Sequence, residues 1–197
     1  MDRRAEITPR WEWRAFDDSI QTFRNLFANF KPSFQKQSEE MYFLVPQVEL
    51  NLKIRQSIFD VKRRLAVHPS GMEQWVPIMK HEFPLGKESF DEITELLRLS
   101  DIPFLKPLEE SDLTAILVSN SHITSPSIKK IRNIYSIQEL QAEFTQIHLS
   151  SRKIFTIALE SEEPERISEV KHLLGIATLE NENYPELLKR KTSYKGA

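Results

Sequence analysis

The sequence predicts an α+β fold in which about eight antiparallel strands form one sheet or a small barrel, with amphipathic helices packed on one face. Apolar and polar residues alternate along several short segments, which is typical of strands that bury one face. Between these segments lie stretches whose apolar residues recur three and four positions apart, as they do in helices that cover a core. A chain of 197 residues is long enough to build one substantial core.

The clearest strand candidates combine an apolar face with a charged face. Four segments show this alternation most plainly, and they cover residues 10–16, 49–55, 59–65 and 155–162. Shorter candidates complete the set: Met41–Val45, Glu73–Lys80, Ile128–Tyr135 and Gln141–Ile147. The stretch Ser136-Ile137-Gln138-Glu139 has the pattern of a helix capping box, which favours a helix over the last candidate, but we retain the strand there.

Helices are predicted between and after these strands. The first follows a cap at Asp17 or Asp18 and carries Ile20, Phe23, Phe27 and Phe30 on one side. The others cover Lys87–Leu99, a segment from Pro164 to Gly175, and Pro185–Lys191. Residues 100–127 hold three prolines and many polar side chains. We predict a connection there with a short strand or helix inside it, where two halves of a single unit of residues 1–197 would meet.

The composition argues against several classes of function. A net charge of -2 gives no overall reason to expect DNA, RNA or a membrane as partner. The absence of cysteine excludes disulfides, thiolate nucleophiles and cysteine-bound zinc. Neither a signal peptide nor a run of membrane-spanning length is visible, so a cytoplasmic location is expected. The four glycines cannot form a glycine-rich phosphate loop, so side chains would have to bind any phosphate.

Long charged side chains are sorted along the strand faces. Residues two apart share a face, and the following pairs therefore lie together: Lys53 and Arg55, Lys62 and Arg64, Lys130 and Arg132, Glu160 and Glu162, and Glu12 and Arg14. The alternation alone favours a half-solvated open sheet, which shows the same pattern. A solvent face usually mixes both signs of charge, whereas these pairs are mostly of one sign. The sorting therefore favours a sheet rolled into a tube that encloses the charges.

Six stretches of the chain carry a resemblance to a known family. They are Leu52-Lys53-Ile54-Arg55, Val61-Lys62, Glu73-Gln74-Trp75-Val76-Pro77, Lys130-Ile131-Arg132, Ala158-Leu159-Glu160-Ser161-Glu162 and the terminal Asn183-Tyr184-Pro185-Glu186-Leu187-Leu188-Lys189-Arg190. In order and spacing they resemble the CYTH or triphosphate tunnel metalloenzyme family, from near Trp11 to the C-terminus. The resemblance implies an eight-stranded antiparallel β-barrel, or tunnel, with helices packed outside. It also implies metal-dependent hydrolysis of a triphosphate, either inorganic triphosphate or a nucleoside or thiamine triphosphate.

The resemblance also implies the residues of a site. The expected phosphate ligands are Arg14, Lys53, Arg55, Lys62, Lys130 and Arg132, with Arg64 as a further candidate. The expected ligands of Mg²⁺ or Mn²⁺ are Glu12, Glu143, Glu160 and Glu162, and Lys62 and Glu12 are the expected catalytic residues. Tyr42 either lines the tunnel or belongs to the core. The expected partner is a triphosphate-containing small molecule, and the protein is expected to be a monomer or a homodimer.

One departure from the family pattern leaves alternatives open. The family has E-x-E-x-K on its first strand, whereas this chain reads Arg10-Trp11-Glu12-Trp13-Arg14. Arg10 stands in place of the first glutamate, so a non-catalytic polyphosphate-binding or nucleotide-binding protein is one alternative. An adenylyl cyclase, which the family also includes, is another, and a protein-interaction module with a solvated sheet is a third.

Overall fold

The described part of the chain folds as eight antiparallel strands that close into a barrel. The structure is a computed structural model that describes residues 9–19, 23, 25–46, 49–99 and 102–192. The strands are β1 (Arg10–Asp17), β2 (Phe34–Phe43), β3 (Leu50–Arg55), β4 (Ile58–Val67), β5 (Glu73–Glu82), β6 (Ser127–Ile137), β7 (Leu140–Leu149) and β8 (Arg152–Ser161). Their order around the barrel is β1-β5-β4-β3-β2-β6-β7-β8. The predicted α+β barrel is confirmed, and the open sheet is wrong.

Strand β2 differs most from its predicted bounds. It begins at Phe34, whereas the alternating pattern predicted a strand only over Met41–Val45. Residues 34–40 are mostly polar, so they carry little of the alternation that identifies a strand. They are held in the barrel by pairing with β6, in a register that runs from Phe34 opposite Ile134 to Met41 opposite Ser127. Pairing with a neighbouring strand therefore sets where β2 begins.

The strand interpretation of β7 is confirmed, and the helix suggested by the capping-box pattern is wrong. Strands β6 and β7 form a hairpin in which Ile137 pairs with Leu140. The two residues between them, Gln138 and Glu139, have φ angles of 50° and 65°. Two consecutive positive φ angles are what a tight two-residue hairpin turn requires. The polar residues that resembled a helix cap form this turn instead.

Four helices accompany the barrel in the described residues: α1 (Lys87–Leu97), α2 (Glu110–Ser119), α3 (Pro164–Leu173) and α4 (Tyr184–Thr192). Helix α2 lies inside the predicted connection, and the other three match predicted helices. The helix predicted after Asp17 falls partly on residues 20–22 and 24, which lie outside the described residues. None of the described helices has the length and apolarity needed to span a membrane.

Three of the helices cover the outside of the barrel. Phe90 of α1 and Leu113 of α2 belong to one buried apolar cluster with the outward residue Val61 of β4. Ile167 of α3 belongs to a second buried cluster with Trp13 of β1. Each large apolar side chain buried in this way contributes about 1.5–3 kcal/mol. Because the apolar faces of these strands are covered outside, their charged faces point into the barrel.

Helix α4 fills the apolar part of the barrel interior. Its residues Leu187 and Leu188 are fully buried with Ile128, Ile147 and Ile154 of the barrel wall. Each of these wall residues shares the inward face of its strand with a polar residue two positions away, namely Lys130, Thr145 and Thr156. The interior is therefore divided into an apolar part, which α4 occupies, and a charged part.

Candidate functional site

The charged part of the interior forms a cavity of about 130 Å³. Seven strands, the segment before α4 and the first residue of α4 contribute to its lining, which consists of Glu12, Arg14, Asn51, Lys53, Arg55, Lys62, Glu73, Trp75, Lys130, Arg132, Glu143, Glu160, Asn181, Glu182, Asn183 and Tyr184. Six of these side chains are cationic and five are carboxylates. The lining as a whole is close to neutral, so the local arrangement of the charges decides what it can bind.

Alternation along each strand places these side chains in the cavity. On β3, Asn51, Lys53 and Arg55 face inward while Leu52 and Ile54 are buried in the outer cluster under α1 and α2. A shift of one residue in this register would exchange the two sets and expose the apolar ones to the cavity. Burial of the outer face therefore fixes the inward direction of the cations.

The cations from β3 and β6 converge on one buried carboxylate, that of Glu40 on β2. Lys130 Nζ donates to Glu40 Oε2 at 2.9 Å, and Arg132 donates to the other carboxylate oxygen. Lys53 Nζ lies 3.6 Å from Glu40 Oε2. The carboxylate is fully buried, and Tyr42 also donates its hydroxyl to it at 3.0 Å. Three basic side chains thus share the Glu40 carboxylate, so basic groups outnumber acidic groups in this part of the barrel.

Burial and crowding displace the pKa values of this cluster. Burial alone would raise the pKa of Glu40, but Lys130, Lys53 and Arg132 hold it well below its usual range. Burial lowers the pKa of Lys53 to about 8, although Glu40 opposes this change. The pKa of Lys130 is also lowered by burial. Because burial and the neighbouring cations lower the pKa of both lysines, an added anion would stabilise their charged forms here.

Two carboxylates face each other in a different part of the lining. Glu12 on β1 pairs directly with Glu160 on β8 in the strand register. Lys62 Nζ donates to Glu12 Oε1 at 2.8 Å and is the cation that partly offsets them. Burial raises the pKa of Glu160, and the neighbouring Glu12 carboxylate raises it further. This part of the cavity carries excess negative charge, which a cation would relieve.

The remaining inward charges are paired. Arg14 Nη1 donates to Glu143 Oε1 at 3.1 Å, and Thr145 donates its hydroxyl to the same oxygen at 2.7 Å. Burial would raise the pKa of Glu143, but Arg14 and Arg132 lower it to about 2. Arg55 donates to Asp60 Oδ2 at 2.8 Å. These groups contribute little net charge to the cavity.

The segment before α4 closes one side of the cavity and is fastened to β1 and β5. Asn181 Oδ1 accepts a hydrogen bond of 2.7 Å from the Arg14 amide, and the Glu182 amide donates to the Arg14 carbonyl at 2.8 Å. Asn183 Nδ2 donates to Glu73 Oε1 at 3.0 Å, and Asn183 Oδ1 accepts from the Glu186 amide and so caps α4. These bonds hold Tyr184, the first residue of α4, against the cavity.

The structure brings nine of the ten predicted site residues into this lining, and Glu162 is the exception. Strand β8 ends at Ser161, and Glu162 is exposed beyond it. Arg64 lines a neighbouring cavity of about 280 Å³, where it is paired with Glu49 and Glu73. Tyr42 is a fully buried residue that holds Glu40 and Lys130 and does not line the cavity.

Several residues of the site were not predicted from the sequence. Glu40 was missed because β2 was predicted too short, although Ser38, Glu40 and Tyr42 share one face once the strand begins at Phe34. Asn51 could have been found, since it precedes Lys53 and Arg55 on the same face. No local pattern marks Tyr184 as inward, because the path of the chain before α4 decides its position.

The residues present fit a divalent cation that is shared with a substrate. Within the described ranges, no three His, Asp or Glu side chains are grouped closely enough to hold a metal ion by themselves. Mg²⁺, however, commonly takes one or two carboxylates and completes its coordination with water and substrate phosphate oxygens. The facing, undercompensated carboxylates of Glu12 and Glu160 offer that donor set, whereas Glu143 is engaged by Arg14.

Comparison with solved structures shows the fold. An adenylyl cyclase candidate from Hippeastrum, described as having a dominant triphosphatase activity, has a TM-score of 0.52 and 13% identity over 93% of this chain and 96% of its own. A conserved hypothetical protein from Pyrococcus furiosus has a TM-score of 0.52 and 21% identity over 90% of this chain and 99% of its own. A protein from Pyrococcus horikoshii has a TM-score of 0.50 and 13% identity over 92% of this chain and 99% of its own.

No protein-family model and no curated protein sequence matches the chain. The structural likeness extends over nearly the whole of each chain. The chain therefore has the CYTH-like fold that the resemblance implied.

Proposed function

We propose that this protein binds a linear triphosphate in the barrel cavity and hydrolyses it with Mg²⁺ or Mn²⁺. The observation that carries the proposal is the separation of charge within one small cavity. Lys53, Lys130 and Arg132 face the single carboxylate of Glu40, while Glu12 and Glu160 face each other elsewhere in the lining. A polyphosphate with a divalent cation has the complementary arrangement, with several negative charges and one compact positive charge. The triphosphatase activity described for the Hippeastrum protein, which shares the fold, supports this assignment.

The size of the cavity favours a triphosphate group without an organic substituent inside it. Pockets for drug-sized ligands measure about 300–1,000 Å³, and this cavity measures about 130 Å³. A nucleoside or thiamine group would have to lie outside the cavity, while the phosphates could lie within it. Among the candidate substrates, inorganic triphosphate fits best. An adenylyl cyclase, which must hold adenine and ribose near the reacting phosphate, is less well supported.

The chain's own residues would position the substrate and balance its charge. Arg132 can hold two phosphoryl oxygens at once through its planar guanidinium, while Lys53 and Lys130 act as point charges. Burial opposes the charge on Lys62, but Glu12 raises the pKa of this lysine, so Lys62 stays protonated at neutral pH. Lys62 is therefore a hydrogen-bond donor to phosphate and not a general base. A cation held by Glu12 and Glu160 would neutralise charge on the phosphoryl oxygens.

A phosphate-release screen tests the proposal. Purified protein is incubated with inorganic triphosphate, ATP, GTP or thiamine triphosphate, with Mg²⁺, Mn²⁺ or a chelator. We expect the highest kcat/KM for inorganic triphosphate and loss of release in the chelator. Millimolar triphosphate should also raise the Tm, because a ligand selective for the folded state stabilises it. If release is absent and the Tm stays constant, the interaction-module alternative is supported and the proposal is contradicted.

A non-catalytic binder is the second candidate function, and the sparse carboxylates favour it. Arg10 occupies the position of the first glutamate of the family pattern, and its side chain is exposed outside the cavity lining. Triphosphate would raise the Tm of such a protein, but the protein would release no phosphate from it. The substitution Arg10→Glu then tests whether position 10 alone accounts for the missing activity. A site that lost hydrolysis through this one change is expected to regain it, whereas a site that never catalysed hydrolysis is not.

Affinity for triphosphate should decrease as the pH rises through about 8. Lys53 has its pKa lowered to about 8 in the ligand-free protein, and a bound anion favours the charged lysine. The attraction between Lys53 and triphosphate is therefore fully present below pH 8. Above pH 8 the affinity for triphosphate falls by up to about tenfold for each further pH unit. Isothermal titration calorimetry between pH 6.5 and 9.5 measures this dependence.

The matched control is Lys53→Arg, because an arginine stays charged throughout this range. The ionisation of triphosphate itself is common to both proteins, so the ratio of their affinities isolates Lys53. We expect this ratio to change across pH 8 as the unmodified protein loses affinity. A constant ratio would remove Lys53 from the binding site.

A further inference from the structure

Tyr184 carries an unusual hydroxyl. The residue is 6% exposed and lines the charged cavity, and its hydroxyl is buried without a hydrogen-bond partner among the described residues. The other buried tyrosine nearby, Tyr42, is fully engaged: its hydroxyl donates to Glu40 at 3.0 Å and accepts from Lys130 at 2.8 Å. The two tyrosines stack with ring centroids 5.6 Å apart. They therefore share one environment but differ in whether the hydroxyl is satisfied.

A buried hydroxyl without a partner is costly. Leaving such a group unsatisfied destabilises a folded protein by about 1–3 kcal/mol, so nearly all buried polar groups are paired. The Tyr184 hydroxyl is such an exception, and it belongs to a residue that lines a charged cavity. This position indicates that the ligand itself supplies the hydrogen-bond partner. A phosphoryl oxygen, which is a strong acceptor, is the partner that this cavity would supply.

The ring of Tyr184 is held in place by its surroundings. Lys130 Nζ lies 3.6 Å from the ring centroid, and the Arg14 guanidinium carbon lies 4.7 Å from it. Phe16 packs edge-on at 5.2 Å. Two cations of the site therefore rest on the π face of this ring, an interaction that is stronger when the groups are desolvated. The direction of the hydroxyl is fixed together with the positions of these cations.

We propose that Tyr184 is a substrate-binding residue whose hydroxyl donates a hydrogen bond to a phosphoryl oxygen of the bound triphosphate. The inference rests on the proposed function and adds to it a specific ligand contact from the C-terminal helix. Burial raises the pKa of the Tyr184 phenol, so the hydroxyl stays protonated at physiological pH. It serves as a donor and does not exchange its proton with the substrate.

The test is Tyr184→Phe, which keeps the ring beneath Arg14 and Lys130 and removes only the hydroxyl. We expect the ligand-free Tm to stay the same or rise, because the lost hydroxyl was unsatisfied. The Kd for inorganic triphosphate, measured by calorimetry with Mg²⁺ present, should increase about tenfold, the effect of losing one hydrogen bond to a charged acceptor.

Tyr42→Phe is the matched control, with the opposite signature. Its hydroxyl is bonded in the ligand-free protein, so its loss should lower the Tm. If Tyr184→Phe binds triphosphate within twofold of the unmodified protein, the inference is overturned while the proposed function stands. A drop in Tm like that of Tyr42→Phe overturns it as well, since the hydroxyl would then be bonded without ligand. If the unmodified protein binds no triphosphate, the proposed function fails and the inference fails with it.

Discussion

Replacing both Glu12 and Glu160 with glutamine should reduce metal-dependent phosphate release from triphosphate by about 100-fold or more. Glutamine keeps the size of each side chain but removes the negative charge that a divalent cation requires. The same double change has two opposing effects on the ligand-free Tm: it relieves two carboxylates that face each other across β1 and β8, and it removes the Glu12 partner that Lys62 contacts at 2.8 Å. We therefore expect the Tm to change little, and loss of activity with a nearly unchanged Tm is the signature of a functional pair.

Glu162→Gln is the matched control for this experiment. Glu162 follows the end of β8, is exposed, and does not line the cavity. Its substitution should leave phosphate release within about twofold, since surface changes away from a site have small effects. If the double variant keeps full turnover, or if Glu162→Gln lowers it strongly, the assignment of Glu12 and Glu160 is contradicted.

Replacing Glu40 with glutamine should destabilise the ligand-free protein by about 3–5 kcal/mol. Glu40 is fully buried, and it is the carboxylate that Lys130, Arg132 and Lys53 share. Its removal leaves two buried lysines and the partly buried Arg132 without the carboxylate that they share. Chemical denaturation monitored by tryptophan fluorescence measures the loss, in buffer free of phosphate and other multivalent anions.

The same variant should respond more strongly to triphosphate. A polyanion bound beside Lys53 and Lys130 would supply the negative charge that Glu40 no longer provides, so triphosphate should raise the Tm of Glu40→Gln by more than it raises the Tm of the unmodified protein. The control is Glu39→Gln, whose exposed pair with Lys129, 3.5 Å apart, contributes at most about 1 kcal/mol. Equal responses to triphosphate in the Glu40 and Glu39 variants would show that the cluster does not hold the anion.

Much of the fold and of the cavity lining could be predicted from strand alternation. The inward direction of Lys53 and Arg55 follows from the apolar residues between them, which must be buried under helices. Closure of the barrel was harder to predict from the sequence, because it depends on pairing between β1 and β8, which are far apart along the chain. Alternation along one strand cannot reveal such a partner.

The residues that sequence reasoning missed depend on pairing and on chain path. Glu40 lies in a polar stretch whose strand exists because β6 pairs with it. The exclusion of Glu162 depends on where β8 ends, and boundaries are the least predictable feature of an element. Tyr184 reaches the cavity because Asn181 and Asn183 fasten the preceding segment to the barrel. None of these positions has a local signature.

Leu187 and Leu188 of α4 form an apolar plug inside the barrel, and this plug would restrict the paths by which a triphosphate could enter and leave under the proposed function. With that end filled, a phosphate chain cannot thread through the barrel from one opening to the other. If the protein hydrolyses triphosphate as proposed, substrate and product use the same entrance, and orthophosphate has to leave before the next molecule enters. A long polyphosphate could be shortened only from its ends, and orthophosphate in excess should act as a competitive inhibitor.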